Sequence, residues 1–249
     1  MSAVLRDAAT LFHREWLRYR RDRAYWVGQL VFPLAFVGFI GFGLNRVVTL
    51  PTGTDYVGHL ASGILALLVG SGAIGGGVTL MEDRASGFLR PLLVAPVSRA
   101  GLVLGKLAAR TAASLALVAV LLVLLWPLTP LRLAHPVALL VATAGITAGF
   151  LGLGVALAAR LRSLESFRLI SALVTVPLYL LSGIFYPVAT LPLATRWLSL
   201  VNPLTWAVDL FRYGLLGVHE LPLAASLAVT AGLGAGAVVV AVRAFSRDA

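Results

Sequence analysis

The stretch Glu82-Asp83-Arg84-Ala85-Ser86-Gly87-Phe88-Leu89-Arg90-Pro91-Leu92-Leu93-Val94-Ala95-Pro96-Val97-Ser98-Arg99 decides the fold, because it sets a charged, helix-capable segment between two long apolar runs, 58–81 and 107–127. Each run is long enough to cross a bilayer, since about 20 mostly apolar residues span ~30 Å of hydrocarbon. Runs 25–45, 136–158 and 220–242 meet the same requirement, and a sixth, 169–187, is only slightly shorter. The 249 residues are 59% hydrophobic and 12% charged, with a mean hydropathy of +0.95, which excludes an ordinary soluble domain. Backbone groups in lipid must be satisfied within the spanning structure, and these runs lack the apolar/polar alternation of a membrane barrel. The sequence therefore predicts an all-α integral membrane protein with six transmembrane helices.

An even number of spans puts both termini on one side, and the basic residues choose it, because short cytoplasmic loops carry the excess of Lys and Arg. Sixteen of the 20 basic residues fall on the side of the termini, and Arg46, Arg132, Arg196 and Arg212 on the other. Both termini are expected in the cytoplasm. The net charge of +10 follows from this asymmetry and does not point to nucleic acid. No cleavable leader is expected, because Asp7, Glu15 and Asp22 precede the first apolar run. Cysteine is absent, which excludes disulfides and thiolate metal ligands.

The expected layout is a single domain, 1–249, with an interfacial helix in 1–24, spans one to five in 25–187 with an inner loop at 82–106, an outer segment at 188–219, and span six with its tail at 220–249. Within the first part, Leu5, Ala8, Ala9, Phe12, Trp16 and Tyr19 recur at helical spacing while Arg14, Arg18 and Arg21 point away. That pattern predicts an amphipathic helix in the inner interface, an anchor for span one or a side gate. Pro33 and Pro177 fall inside spans one and five, where each removes a backbone donor. The spacings Gly72-xxx-Gly76, Gly145-xxx-Gly149 and Gly232-xxx-Gly236 allow close helix approach, within the chain or between subunits.

Residues 187–221 form an unusually long and quite apolar outer connection, and 204–218 are too short to span. Leaving Asp209 and Arg212 at the bilayer centre would cost about 2.5 to 3.5 kcal/mol each. Two short reentrant helices between spans five and six fit better, with Asn202 as cap and Pro203 at the first position of the second helix. Asp209 and Arg212, three apart, are then placed to pair on one face.

Chemistry is mostly excluded. His13, His59, His135 and His219 are scattered, without metal-ligand spacing, so no metal site is expected. The segment Gly101-Leu102-Val103-Leu104-Gly105-Lys106-Leu107 only mimics a phosphate loop: it has too few residues between the glycines, and Leu107 stands where a Mg²⁺-binding hydroxyl belongs. Intramembrane acids of the kind used by ion-coupled carriers are missing as well. A membrane-embedded enzyme would need clustered polar catalysts, which the spans do not offer. The inner loop sets Glu82 and Asp83 beside Arg84, Arg90 and Arg99, a surface suited to charge-complementary docking.

Taken in order, the entry helix, the six spans, the 82–106 loop with Gly87, Pro96, Arg99, Gly105 and Lys106, and the series Ser182-Gly183-x-Phe185-x-Pro187, Leu191-Pro192, Asn202-Pro203-Leu204-Thr205 resemble the membrane permeases of type-2 ATP-binding cassette (ABC-2 type) exporters over nearly the whole chain. The resemblance implies that 82–99 forms a coupling helix seated on a separate ABC ATPase, through Glu82, Asp83, Arg84, Gly87, Arg90, Pro96 and Arg99. It implies a homodimer of this chain with two ATPase copies, ATP and Mg being held by the ATPase and no cofactor by this chain. Phe12, Arg14, Trp16, Arg18, Tyr19 and Arg21 would form the gate or interfacial helix in contact with membrane lipids. Ser182, Gly183, Phe185, Pro187, Asn202, Pro203, Asp209 and Arg212 would close the outer mouth. The implied role is a non-enzymatic permease subunit in a bacterial-type inner membrane, exporting a hydrophobic drug, a lipid or a lipid-linked molecule. A polysaccharide or lipo-oligosaccharide permease is the alternative within transport, and a non-transporting scaffold subunit the alternative outside it.

Overall fold

Asp22 separates the first two helices, because its carboxylate accepts the Tyr25 N–H at 2.9 Å and so caps the second. In the computed structural model, which describes residues 3–50, 53–85, 99–161 and 163–247, α1 spans Ala3–Arg21 and α2 spans Arg23–Phe36. The Trp26 indole N–H donates to the Tyr19 carbonyl at 2.9 Å and fixes the elbow between them. Beyond Pro33 the helical path widens into a π turn, Val37–Gly41, before the short α3, Phe42–Leu44. Proline removes a rung of the helical ladder, and a widened turn nearby is one way to absorb that loss.

The remaining helices among the described residues are α4 (Tyr56–Ala85), α5 (Arg99–Leu125), α6 (Pro136–Arg160), α7 (Leu164–Leu180), α8 (Leu193–Val201), α9 (Pro203–Leu216) and α10 (Leu223–Arg247), with a 3-10 turn at Val188–Thr190. Among the described residues every regular element is helical. α4 and α6 form the centre, where Leu60, Ile64, Val69, Ala142 and Ile146 are fully buried. α2 and α10 lie at the periphery and turn Val27, Val31, Phe32, Val239 and Val240 outward, as helices facing lipid do.

Small residues bring the central helices together. A Cβ on Gly77 of α4 would lie 2.7 Å from the carbonyl carbon of Gly154 on α6, and one on Gly154 would lie 2.6 Å from the Ile74 carbonyl oxygen. Only glycine at both positions lets the two backbones touch. Of the three small-residue spacings, Gly72/Gly76 and Gly145/Gly149 meet other helices of this chain, whereas Gly232 and Gly236 face open space.

Among the described residues, five helices are long and apolar enough to cross a membrane: Tyr25–Leu44, Tyr56–Thr79, Val103–Leu125, Pro136–Ala158 and Leu223–Val240. The helix at the sixth expected span, 169–187, has other bounds. Its helix runs Leu164–Leu180, 17 residues, or about 25 Å at 1.5 Å per residue. The start moves back because Ser163 Oγ accepts the Ser166 N–H at 3.1 Å, a cap the apolar count overlooked. The end moves back because Gly183 adopts φ +74°, which takes Ile184 and Phe185 out of the helix despite their hydrophobicity. The inner loop is also shorter than 82–106: α4 carries Glu82, Asp83 and Arg84, and α5 already includes Gly105 and Lys106. Gly87, Arg90 and Pro96 lie outside the described residues.

Candidate functional site

The expected outer segment packs around one end of the bundle, here called the far end, and the start of its second helix is the predicted one. Asn202 Oδ1 accepts the Leu204 N–H at 3.0 Å and Pro203 opens α9; Gly217, which was not among the expected caps, ends it at φ +76°. The same Asn202 amide donates through Nδ2 to the Leu178 carbonyl at 2.7 Å, tying α9 to the end of α7. Thr205 Oγ1 donates to the Ser199 carbonyl at 2.6 Å, and the Trp206 indole to the Leu200 carbonyl at 2.8 Å, so α8 is folded back on α9. Replacing Asn202 by Ala removes both a cap and an interhelical bond. The expected loss is about 1 to 2 kcal/mol, read as a lower thermal midpoint of the full chain in detergent, while Asn202→Asp, which keeps the cap, loses less.

The chain segment between α7 and α8 is fastened residue by residue. Ser182 Oγ donates to the Tyr179 carbonyl at 2.7 Å, and the Tyr186 hydroxyl donates to the Leu180 carbonyl. Phe185 lies against Phe36 with ring centroids 6.1 Å apart, and its carbonyl accepts the Tyr56 hydroxyl at 3.3 Å. A Cβ on Gly63 of α4 would come 2.6 Å from the Ile184 carbonyl, so α4 abuts this turn directly. Pro187 enters the 3-10 turn.

Arg212 sits at the middle of this assembly, 3% exposed. Its Nη1 donates to Glu220 Oε1 at 3.3 Å, and its Nη2 donates to the Gly183 carbonyl at 2.9 Å and faces His59 Nε2 at 3.2 Å. Arginine only donates, so His59 Nε2 is the acceptor and its ring proton is assigned to Nδ1. The expected Asp209–Arg212 pair is corrected: the guanidinium forms its ion pair with Glu220. Asp209 Oδ1 accepts the Glu220 N–H at 2.7 Å and Oδ2 accepts the Ser226 hydroxyl at 3.1 Å, so its two oxygens are spent on the start of α10. Burial pushes the Asp209 carboxyl above its ordinary value, opposed by those hydrogen bonds and by Arg212. The polar knot thus joins α4, the α7–α8 turn, α9 and α10. His59, Glu220 and Ser226 escaped sequence reasoning, because each lies far along the chain from Arg212 or in a loop without motif.

At the other end, the elbow between α1 and α2 packs on α5. A Cβ on Gly105 would be 2.6 Å from the Ala8 carbonyl and 2.8 Å from Leu11 Cβ. The α1 face buried there carries Leu11 and Glu15, whereas the predicted apolar stripe leaves Leu5 exposed and Phe12 and Trp16 half-buried, their rings stacked at 6.3 Å. Arg14, Arg18 and Arg21 are exposed. Tyr19 and Tyr25 instead flank Arg110 of α5. Its Nη2 donates to the Tyr25 hydroxyl at 2.8 Å, and its guanidinium lies 5.1 and 5.4 Å from the Tyr19 and Tyr25 ring centroids. Of the expected coupling residues, Glu82, Asp83 and Arg84 end α4 and Arg99 begins α5.

An apolar groove of about 440 Å³ opens between α6, α9 and α10, lined by Phe150, Leu153, Leu178, Leu204, Leu233 and Val240 among others. Among the described residues, no cluster of His, Asp or Glu is arranged to hold a metal ion.

A family model described as ABC-2 type transporter matches residues 6–216, from the first turns of α1 to the last residue of α9. The chain belongs to the ABC-2 type transporter family. It is 29% identical over 219 residues to a putative transport permease, ycf38, of Porphyra purpurea, covering 84% of this chain and 74% of that one. Nodulation protein J of Rhizobium leguminosarum bv. viciae is 29% identical over 217 residues, covering 81% and 82%. The inner membrane transport permease YadH of Escherichia coli K12 is 34% identical over 68 residues, 27% of each chain. As an ABC-2 family member with five membrane-length apolar helices, the chain is a multi-pass membrane protein of a transport family. Asp209 and Arg212 fall inside the matched segment, and Glu220 lies just beyond it.

Proposed function

We propose that the chain is the transmembrane subunit of an inner-membrane exporter, working as a homodimer with two copies of a separate ABC ATPase. The observation that carries this reading is α4, one uninterrupted helix of 30 residues that starts at the far-end knot through His59 and ends in Glu82, Asp83 and Arg84. With the basic residues and both termini in the cytoplasm, the far end faces outward and the end of α4 faces the ATPase. α7 then serves as the sixth crossing. Its outward Leu169, Leu173 and Val176 form a face that the second subunit would cover.

In this mechanism ATP, held by the partner, supplies the work of closing the two ATPases. The segment 82–99 receives that displacement, α4 conveys it over about 40 Å, and the α7–α8 turn with α8 and α9 opens the outer mouth. The lining of the groove supports a hydrophobic or lipid-linked cargo. The test is ATPase activity of the full chain reconstituted in lipid with its cassette ATPase, over a panel of hydrophobic compounds, lipids and lipid-linked glycans. Glu82→Ala is expected to weaken docking and so lower stimulated turnover at limiting ATPase by up to about fivefold, since an exposed ion pair is worth about 0.2 to 1 kcal/mol. Stimulation untouched by Glu82→Ala and Gly87→Leu would sink the coupling role, and failure of any ATPase to co-purify would favour a scaffold subunit.

A further inference from the structure

Arg110 is a buried cation, 3% exposed, whose recorded contacts are phenolic and aromatic. Arginine carries five N–H donors, and here Nε is buried without a partner. The Asp22 carboxylate on the neighbouring elbow accepts the Tyr25 N–H through Oδ1, and among the described residues it forms no ion pair with Arg110. The position was vacated for the guanidinium: a Cβ on Gly72 of α4 would clash with Arg110 Nη2, so α4 has a glycine where the side chain crosses.

A desolvated cation is costly unless an anion compensates it, and two ring faces replace only part of the lost hydration. Depth identifies the anion. Trp16, Tyr19, Tyr25 and Trp26 surround the elbow, and such aromatic residues settle at headgroup level. α1, basic on one face and apolar on another, lies in that plane. We infer that Arg110, with the Tyr19/Tyr25 pair, forms a binding site for the phosphate of an anionic lipid of the inner leaflet. The lipid enters between α1 and α2 and locks the elbow against α4 and α5. This site is separate from the far-end knot and does not depend on the export reading.

The experiment takes the full chain from vesicles of equal phosphatidylglycerol and phosphatidylcholine into mild detergent, and counts retained lipids by native mass spectrometry. Wild type is expected to keep phosphatidylglycerol selectively. Arg110→Gln should lower that retention about tenfold, the loss of one charge-assisted contact, whereas Arg196→Gln, an exposed arginine on α8, should leave it intact. Gly72→Ala, which displaces the guanidinium without removing its charge, should also lower it. Equal retention of the two lipids by wild type would overturn the site without recourse to any variant. So would undiminished selectivity in Arg110→Gln, and displacement of the lipid by millimolar inorganic phosphate would make it a free-anion site instead.

Discussion

Arg212→Met is expected to be among the most damaging single substitutions in the chain, costing about 3 to 5 kcal/mol of stability and abolishing transport. The reason lies in what remains. Glu220, whose side chain is 5% exposed, would keep a charge in a dry pocket, and the Gly183 carbonyl and His59 Nε2 would each lose a donor. Arg212→Lys retains the charge, but a single ammonium cannot replace a planar fork that reaches three acceptors, so about half the loss should persist. The decisive comparison is Arg212→Met with Glu220→Leu, which removes both charges and should recover much of the stability, because an apolar pair of similar volume is often neutral or better in a buried site. Thermal unfolding of the full chain in detergent reads the stability, and a reconstituted transport assay reads the function. Stability restored without transport would place the knot in the outer closure. Additive losses in the double variant would show that Arg212 and Glu220 do not act as a pair.

The spans were legible in the sequence because a bilayer demands the same thing of every crossing helix: roughly 20 apolar residues without interruption. The cap at Asn202 and the opening Pro203 were legible because they act within a few residues of themselves. The 169–187 run misled for a local reason too. Its composition is apolar throughout, yet Gly183 takes a left-handed conformation and Ser163 caps further back, and neither is weighed by a count of apolar residues. The partner of Arg212 was not legible, since helical spacing favoured Asp209, three residues away, and the loop that brings Glu220 back is fixed only by tertiary structure. The setting of Arg110 was not legible either, because nothing in its own neighbourhood announces that Tyr19, Tyr25 and Gly72 converge on it from three other helices.

Gly77→Ala should destabilise the chain by about 1 to 3 kcal/mol although it adds one methyl group to an apolar helix. Alanine is otherwise the better helix former, by about 1 kcal/mol, so helix propensity alone predicts a gain. The contact reverses the sign: the new Cβ meets the Gly154 backbone, with the carbonyl carbon at 2.7 Å and the Phe167 ring edge also at 2.7 Å. A ring edge can turn aside, but a peptide group inside α6 cannot move without shifting α6 itself. Gly232→Ala is the control, since nothing lies within 4 Å of the added atom and α10 should gain its propensity in full. Opposite shifts of the two thermal midpoints are therefore expected, and equal shifts would mean that α4 and α6 do not cross backbone to backbone. Because α4 is also the helix assigned to carry displacement from 82–99 to His59, a crossing that only glycines permit has a further consequence. A variant such as Gly77→Ala, if it still folds, holds α4 away from α6, and it should lose coupling between ATP turnover and transport before it loses ATP turnover itself.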